Sequence, residues 1–347
     1  MKISNAAAGA GIKLLEKTII LSPGLVLVLI IAAAASVFGT FFPVVGASVF
    51  GMIIGIIINS LINIPENTSP GVDFSSKSIL QFSIILLGST LSFNQITKTG
   101  ASSFFVMLFT ISAAFIIAYG AGKLLKVDTP LKSLIGAGTA ICGGSAIAAV
   151  SSIIDADEHD ISYSISAIFL FNVVAVLIFP PLGRLFGLSD YGFGLLSGTA
   201  INDTSSVVAA GYIFSNTAGD FAAIVKLTRT TMIIPVSLAF MAYTLFSRKK
   251  GPAGDLKFSI LKIFPWFILG FIGMALINST GIIDQAFSSG IKDFAKFMIV
   301  MALSAIGLKT NVSKMIHTGP KPLLLGLFTW LAVIITSITV QVLTRQL

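Results

Sequence analysis

The feature that most constrains this chain is its division into apolar runs of about 20 residues separated by short polar gaps, which leaves no room for a sizeable aqueous domain. The runs lie near 19–37, 44–63, 78–94, 101–123, 132–154, 161–182, 191–214, 221–246, 259–278, 293–308 and 321–344. Each is long enough to cross a hydrocarbon layer as a helix, the form in which a single segment satisfies its own backbone there. With 55% hydrophobic residues, 10% charged and a mean hydropathy of +0.98, the sequence predicts an all-α integral membrane protein. Residues 1–347 read as one transmembrane domain of eleven helices. The first run follows Lys2, Lys13 and Lys17, but it is longer than the apolar core of a signal peptide and a second run follows at once, so it reads as a span.

The net charge of +8 would suggest nucleic acid in a soluble protein, yet these basic residues sit in gaps between apolar runs, where they act as orientation signals. With the N-terminus inside, sixteen fall on the cytoplasmic side: Lys2, Lys13, Lys17, Lys77, Lys123, Lys126, Lys132, Arg184, Arg248, Lys249, Lys250, Lys257, Lys262, Lys309, Lys314 and Lys321. Four fall outside, Lys98, Lys292, Lys296 and Arg345, together with the acidic loop Asp155 to Asp160. The expectation is a multi-pass protein of the bacterial plasma (inner) membrane, N-terminus cytoplasmic, without a nucleic-acid partner. Cys142 is the only cysteine, and His159 and His317 lie in connecting segments, so neither an internal disulfide nor a Cys/His metal site is expected. The 28 phenylalanines read as lipid-facing and core packing, and no cofactor is implied.

Two stretches sixty positions apart break this uniformity: Gly138-Thr139-Ala140-Ile141-Cys142-Gly143-Gly144-Ser145-Ala146 and Gly198-Thr199-Ala200-Ile201-Asn202-Asp203-Thr204-Ser205-Ser206. Glycine, hydroxyl and amide residues weaken a helix, and a freed backbone group in hydrocarbon costs several kcal/mol unless protein, water or ligand satisfies it. Two such breaks predict discontinuous helices around a binding site. Close packing by small residues is the alternative for residues 138–146 and the preferred reading for Gly51 and Gly55. Asn172 and Asn278 read as interhelical hydrogen-bonding groups, and Cys142 as a small buried side chain rather than a nucleophile. A second repeat pairs residues 82–93 with 297–308, and Thr99-Gly100 through Thr110 with Thr318-Gly319 through Thr329. By span order these copies run in opposite senses, the inverted repeat of secondary transporters, whereas the two motif spans would run parallel if both cross fully.

Three charges belong to no loop: Asp203, Lys226 and Arg229. A charge at mid-bilayer costs about 2.5–3.5 kcal/mol on insertion scales, so such residues face protein or a water-filled cavity and mark pathways. Lys226 and Arg229 are three apart, on one helical face with Thr230 nearby. They offer two cationic groups to a substrate, and an ion pair between Asp203 and one of them is the structural alternative. A net positive embedded pocket beside two broken helices favours an anion, since half-helix N-termini add positive potential.

The pair GTAICGGSAIAAV and GTAINDTSSVVAAG, followed by Lys226-Leu227-Thr228-Arg229, resembles the YeiH-like family, conserved hypothetical membrane proteins catalogued as sulfate exporters. The resemblance covers about residues 20–345 and groups the chain with bile-acid:sodium symporters, auxin-efflux-like carriers and cation/proton antiporters. It implies a core with two unwound helices crossing at mid-membrane, moving against a dimerising scaffold in an elevator-like cycle, and hence a homodimer. Cys142, Gly143, Gly144 and Ser145 would form the first unwound region and Asn202, Asp203, Thr204 and Ser205 the second. The function expected is secondary active transport of a small anion (sulfate, a sulfonate or a carboxylate) by alternating access. Backbone N–H groups, Cys142, Ser145, Asn202, Thr204, Ser205, Lys226 and Arg229 would hold it, and Asp203 would couple to H⁺, or with Asn202 to Na⁺. A cation/proton antiporter using Asp203 is the alternative. An anion channel lacks a continuous polar stripe, and an intramembrane enzyme lacks a base and nucleophile together.

Overall fold

The structure, a computed structural model, describes residues 2–42, 46–62, 64–247, 266–310 and 320–346. Arg248, Lys249, Lys250, Lys257, Lys262, Lys314, His317 and the Thr318-Gly319 pair of the second repeat lie outside them, as does the start of the run near 259. Every regular element among the described residues is helical. Among the described residues, five helices are long and apolar enough to cross a membrane, over Thr18–Phe41, Phe93–Leu124, His159–Leu185, Asn216–Thr244 and Pro320–Leu343, in keeping with a multi-pass membrane protein.

The chain forms two compact units. One, from residues 1–90 and 283–312, holds α1 (Lys2–Phe41), α2 (Ala47–Leu61), α3 (Ser69–Phe74), α4 (Leu80–Gly88) and α14 (Gln285–Lys309). The run read at 78–94 begins earlier as helix, because α3 continues through a π-turn at Ser75–Ile79 into α4. Glycines set the spacing. A Cβ on Gly51 would lie 2.5 Å from Ser304 Oγ, and one on Gly55 2.5 Å from Ser304 O, so α2 and α14 pack backbone to backbone. That is the packing role expected of Gly51 and Gly55. Lys309 at the end of α14 pairs with Asp73 of α3.

The other unit, residues 91–282 and 313–347, holds α5 (Phe93–Leu124), α6 (Thr129–Ala140), α7 (Gly144–Ile154), α8 (Glu158–Leu185), α9 (Asp190–Ala200), α10 (Thr204–Phe214), α11 (Asn216–Thr231), α12 (Ile233–Ser247), α13 (Phe267–Ser279) and α15 (Pro320–Leu343). α5 starts before the run read at 101, because Ser92 and Gln95 form a reciprocal capping box that nucleates it. Asn278 donates to Leu91 O (3.1 Å) in the bend before α5, so its bond ties a helix to a turn rather than to a second helix. The second repeat has a structural echo: α4 packs on α14, and α5 packs on α15.

Each motif segment is a hairpin rather than one long kinked helix. In the second, Phe193 near the start of α9 stacks on Phe214 at the end of α10, ring centroids 4.0 Å apart, and Ser215 Oγ donates to Asp190 Oδ1 (2.7 Å). In the first, Gly138 of α6 lies against the Ile147 side chain of α7, and Thr129 and Ile154, the two outer ends, line one cavity of about 240 Å³. Arms of 11 and 12 residues reach about 16–18 Å, half the depth of a hydrocarbon core of about 30 Å.

Candidate functional site

The two hairpins break in the same register. α6 ends at Ala140 and α7 starts at Gly144, while α9 ends at Ala200 and α10 starts at Thr204, so the repeat seen in sequence is a repeat of backbone geometry. Each break frees carbonyls at the end of one arm and N–H groups at the start of the other, four of each at an ordinary helix end. Where those groups find partners decides what the site can bind.

The carbonyl ends are satisfied by side chains. Lys226 Nζ donates to Ile141 O (2.6 Å) and Ile201 O (3.0 Å), which are equivalent positions of the two motifs. Arg229 donates through Nε to Ala140 O (2.7 Å), through Nη2 to Thr139 O (2.8 Å), and through Nη1 to Thr199 O. Both side chains are 0% exposed. Trp330 Nε1 of α15 donates to Ala200 O (2.9 Å), and Thr199 Oγ1 bonds Ser337 Oγ (2.7 Å). A guanidinium at a helix C-terminus also opposes the negative end of the helix dipole. The two groups expected to offer positive charge to a substrate are therefore turned toward carbonyls and buried, and neither bonds Asp203, so the alternative of an ion pair with that carboxylate is not realised either.

The N–H ends differ between the copies. Asp203 caps α10: its Oδ2 accepts from Ser206 N (3.2 Å), Ser206 Oγ (3.4 Å) and Ser205 Oγ. The Ser205 amide also lies beside the carboxyl group, and Asp203 and Thr204 are half-buried. Asn172 Oδ1 of α8 accepts from Asn202 N (2.9 Å) and Asp203 N (3.3 Å), so this amide fixes the bend itself. α7 has no side-chain cap: Gly143 stands at its N-cap with φ 68°, a left-handed conformation open to glycine, and Gly144 and Ser145 after it are exposed. A Cβ on Gly144 would meet nothing within 4 Å, whereas on Gly138 it would strike Ile168 and on Gly198 it would lie 2.6 Å from Val225. Glycines of one motif thus divide into packing positions and an open one. Cys142 is buried beside Ser145, Ala146 and Lys226, in keeping with a packed side chain. Asn202 is buried next to Gly143, and its Oδ1 has no partner among the described residues.

The structure accordingly brings all the sequence-derived candidates, Cys142 to Ser145, Asn202 to Ser205, Lys226 and Arg229, to one place, where the hairpin tips meet. It separates Lys226 and Arg229, buried and bound to carbonyls, from an accessible layer of Gly144, Ser145, Asp203 and Thr204, with Cys142, Gly143 and Asn202 buried and in neither. Ser205 is likewise in neither, since it is buried and its hydroxyl is engaged by Asp203. Trp330 and Ser337 were not legible as site residues. The only signal was an indole donor in an apolar run, which needs a partner. At the mouth of the first hairpin, away from its tip, Asp157, His159 and Asp160 bring donor atoms within 4.8 Å of one another.

The chain belongs to the family described as Conserved hypothetical protein 698, whose model matches residues 23–326. It is 45% identical over 337 residues to a UPF0324 membrane protein of Clostridium tetani, covering 94% of this chain and 98% of the relative. It is 46% identical over 328 residues to UPF0324 membrane protein SAG1125 of Streptococcus agalactiae (92% and 96%). With UPF0324 membrane protein FN0533 of Fusobacterium nucleatum it shares 43% over 338 residues (92% and 96%).

Proposed function

We propose that this member of a conserved family of membrane proteins is a secondary active transporter that carries a small anion such as sulfate, a sulfonate or a carboxylate by alternating access. The observation that carries the reading is the division of the hairpin tips. Their carbonyl ends are closed by Lys226, Arg229 and Trp330, and the uncapped N-terminus of α7 lies open at Gly144 and Ser145. N–H groups at a helix start bind anions, and a mid-membrane site that offers them while hiding its carbonyls selects for negative charge. In this reading Gly144 and Ser145, with Thr204 opposite, contact the anion, and Lys226 and Arg229 act behind them. Asp203 is the coupling group, its half-buried carboxyl taking H⁺ or, with the unpartnered Asn202 Oδ1, Na⁺. The sequence resemblance to sulfate exporters and to the bile-acid symporter and antiporter group supports transport with an elevator-like cycle and a homodimer.

Hairpins whose outer ends lie together fit re-entrant segments better than crossings. Nine crossings then remain of the eleven runs, and since only α8 separates the hairpins, they enter from opposite faces. The two motifs, parallel if fully spanning, become an inverted pair whose tips can meet. The N-terminus stays cytoplasmic in the bacterial inner membrane. Arg184 moves outside and the acidic loop at 155–160 moves inside, leaving the basic residues fifteen to five in favour of the cytoplasm.

A cation/proton antiporter is the second reading, favoured by a half-buried Asp203 carboxyl that neither Lys226 nor Arg229 bonds. Purified protein in liposomes separates the two. Anion transport predicts radiolabelled sulfate, methanesulfonate or acetate uptake that depends on a pH or sodium gradient, with the dependence lost in Asp203→Asn. Cation flux driven by a pH gradient with none of these anions present would favour the antiporter.

A further inference from the structure

Lys226 and Arg229 each bond carbonyls of both hairpins: Lys226 joins Ile141 to Ile201, and Arg229 joins Thr139 and Ala140 to Thr199. Among the described residues, three other side-chain ties reach the tips from neighbouring helices, and each serves only one hairpin. Trp330 bonds Ala200, Ser337 bonds Thr199, and Asn172 bonds the amides of Asn202 and Asp203, all in the second. Both bridging side chains project from one turn of α11, which packs along α9 and α10. A Cβ on Gly211 would sit 3.1 Å from Ala222 Cβ, and one on Gly194 2.7 Å from Phe221 Cβ. The bridge therefore stands on a helix already packed along the second hairpin, and reaches across to hold the first.

We propose that Lys226 and Arg229 are positioning residues that lock the two hairpin tips into one body, so that neither hairpin opens as a separate gate and both tips travel together with whatever is bound between them. The geometry gives a reason for burying two such costly side chains. A tip that swung away from its partner would leave carbonyls without donors in a medium that supplies none, and would strand a buried guanidinium. In the transporter reading on which the word "bound" rests, access would change by movement of the joined tips. The tie itself is a property of the free protein and is tested without any substrate.

The test is backbone hydrogen exchange of the full-length protein in nanodiscs, read by mass spectrometry on peptides spanning 136–147 and 196–207. Lys226→Met and Arg229→Met should each accelerate exchange at both tips together, by about tenfold or more, because donors to carbonyls on both sides are lost. Trp330→Phe removes a bond to the second hairpin only and should loosen 196–207 alone. Arg229→Lys, with one donor group where three carbonyls wait, should give an intermediate effect at both tips and serves if the methionine variants fail to fold. Acceleration confined to the second hairpin in the Lys226 and Arg229 variants, or no acceleration in either, would overturn the tie. Failure of sulfate, methanesulfonate or acetate uptake in liposomes would count against the transport reading and leave the exchange result standing.

Discussion

At the scale of single residues, the claim is that one carboxylate both caps a helix and couples transport, and the two roles separate by mutation. Asn caps a helix about as well as Asp, whereas Ala loses the cap at a cost of about 1 kcal/mol. Asp203→Asn should therefore leave the melting temperature near that of the wild type while abolishing the pH or sodium dependence of uptake, and Asp203→Ala should lower both. Gradient-dependent uptake that survives in Asp203→Asn would remove Asp203 from coupling. Gly143 and Gly144 make a second contrast. Gly143 holds φ 68° and ψ −121° at the N-cap, a conformation that side-chain-bearing residues rarely adopt, so Gly143→Ala should cost about 1–3 kcal/mol. Gly144 has open space where a Cβ would go, so Gly144→Ala should fold as well as the wild type or better, yet weaken the thermal stabilisation produced by added anion. Equal stabilisation in both proteins would show that α7 is not the anion site. The sequence made these positions visible, because a Gly-Gly pair and an embedded acid are costly in hydrocarbon and need a reason. It could not say that Lys226 and Arg229 turn toward carbonyls rather than toward a ligand. Spacing along a helix gives the face a side chain leaves from, and its acceptors are set by where distant breaks come to lie.

At the scale of elements, helices were legible where apolar length alone decides them, as in α8 and α15, whereas α1 begins at Lys2, well before the apolar run read from 19. They were mis-bounded where local hydrogen bonds decide, as at the Ser92–Gln95 box that starts α5 among polar residues. The hairpins were the larger surprise. Runs of 23 and 24 residues, 132–154 and 191–214, have the length of a span, and hydropathy does not distinguish a span from two half-length arms folded together. What distinguishes them is contact between their ends, Phe193 with Phe214 and Asp190 with Ser215, which is tertiary information. Close helix packing by glycine was legible and is testable. Gly55→Ala would drive a Cβ to 2.5 Å from Ser304 O and 2.8 Å from Leu308 N, backbone atoms that cannot turn aside. An overpacking penalty of about 1–3 kcal/mol should appear as a lower melting temperature, and an unchanged one would mean that α2 and α14 separate easily.

At the scale of the whole molecule, the proposed site requires two hairpins that enter the membrane from opposite faces and meet tip to tip. Sided thiol labelling in intact cells and inverted vesicles measures this most directly, with the only native thiol removed by Cys142→Ser. Lys123→Cys and His159→Cys flank the first hairpin, and Phe186→Cys and Thr217→Cys flank the second; all four positions are exposed. A membrane-impermeant maleimide should reach the first two from the cytoplasmic face and the last two from the opposite face. Labelling of positions 123 and 159 from opposite faces, or of 186 and 217 from opposite faces, would make that motif a full crossing. It would also contradict the inverted pair on which the proposed site depends.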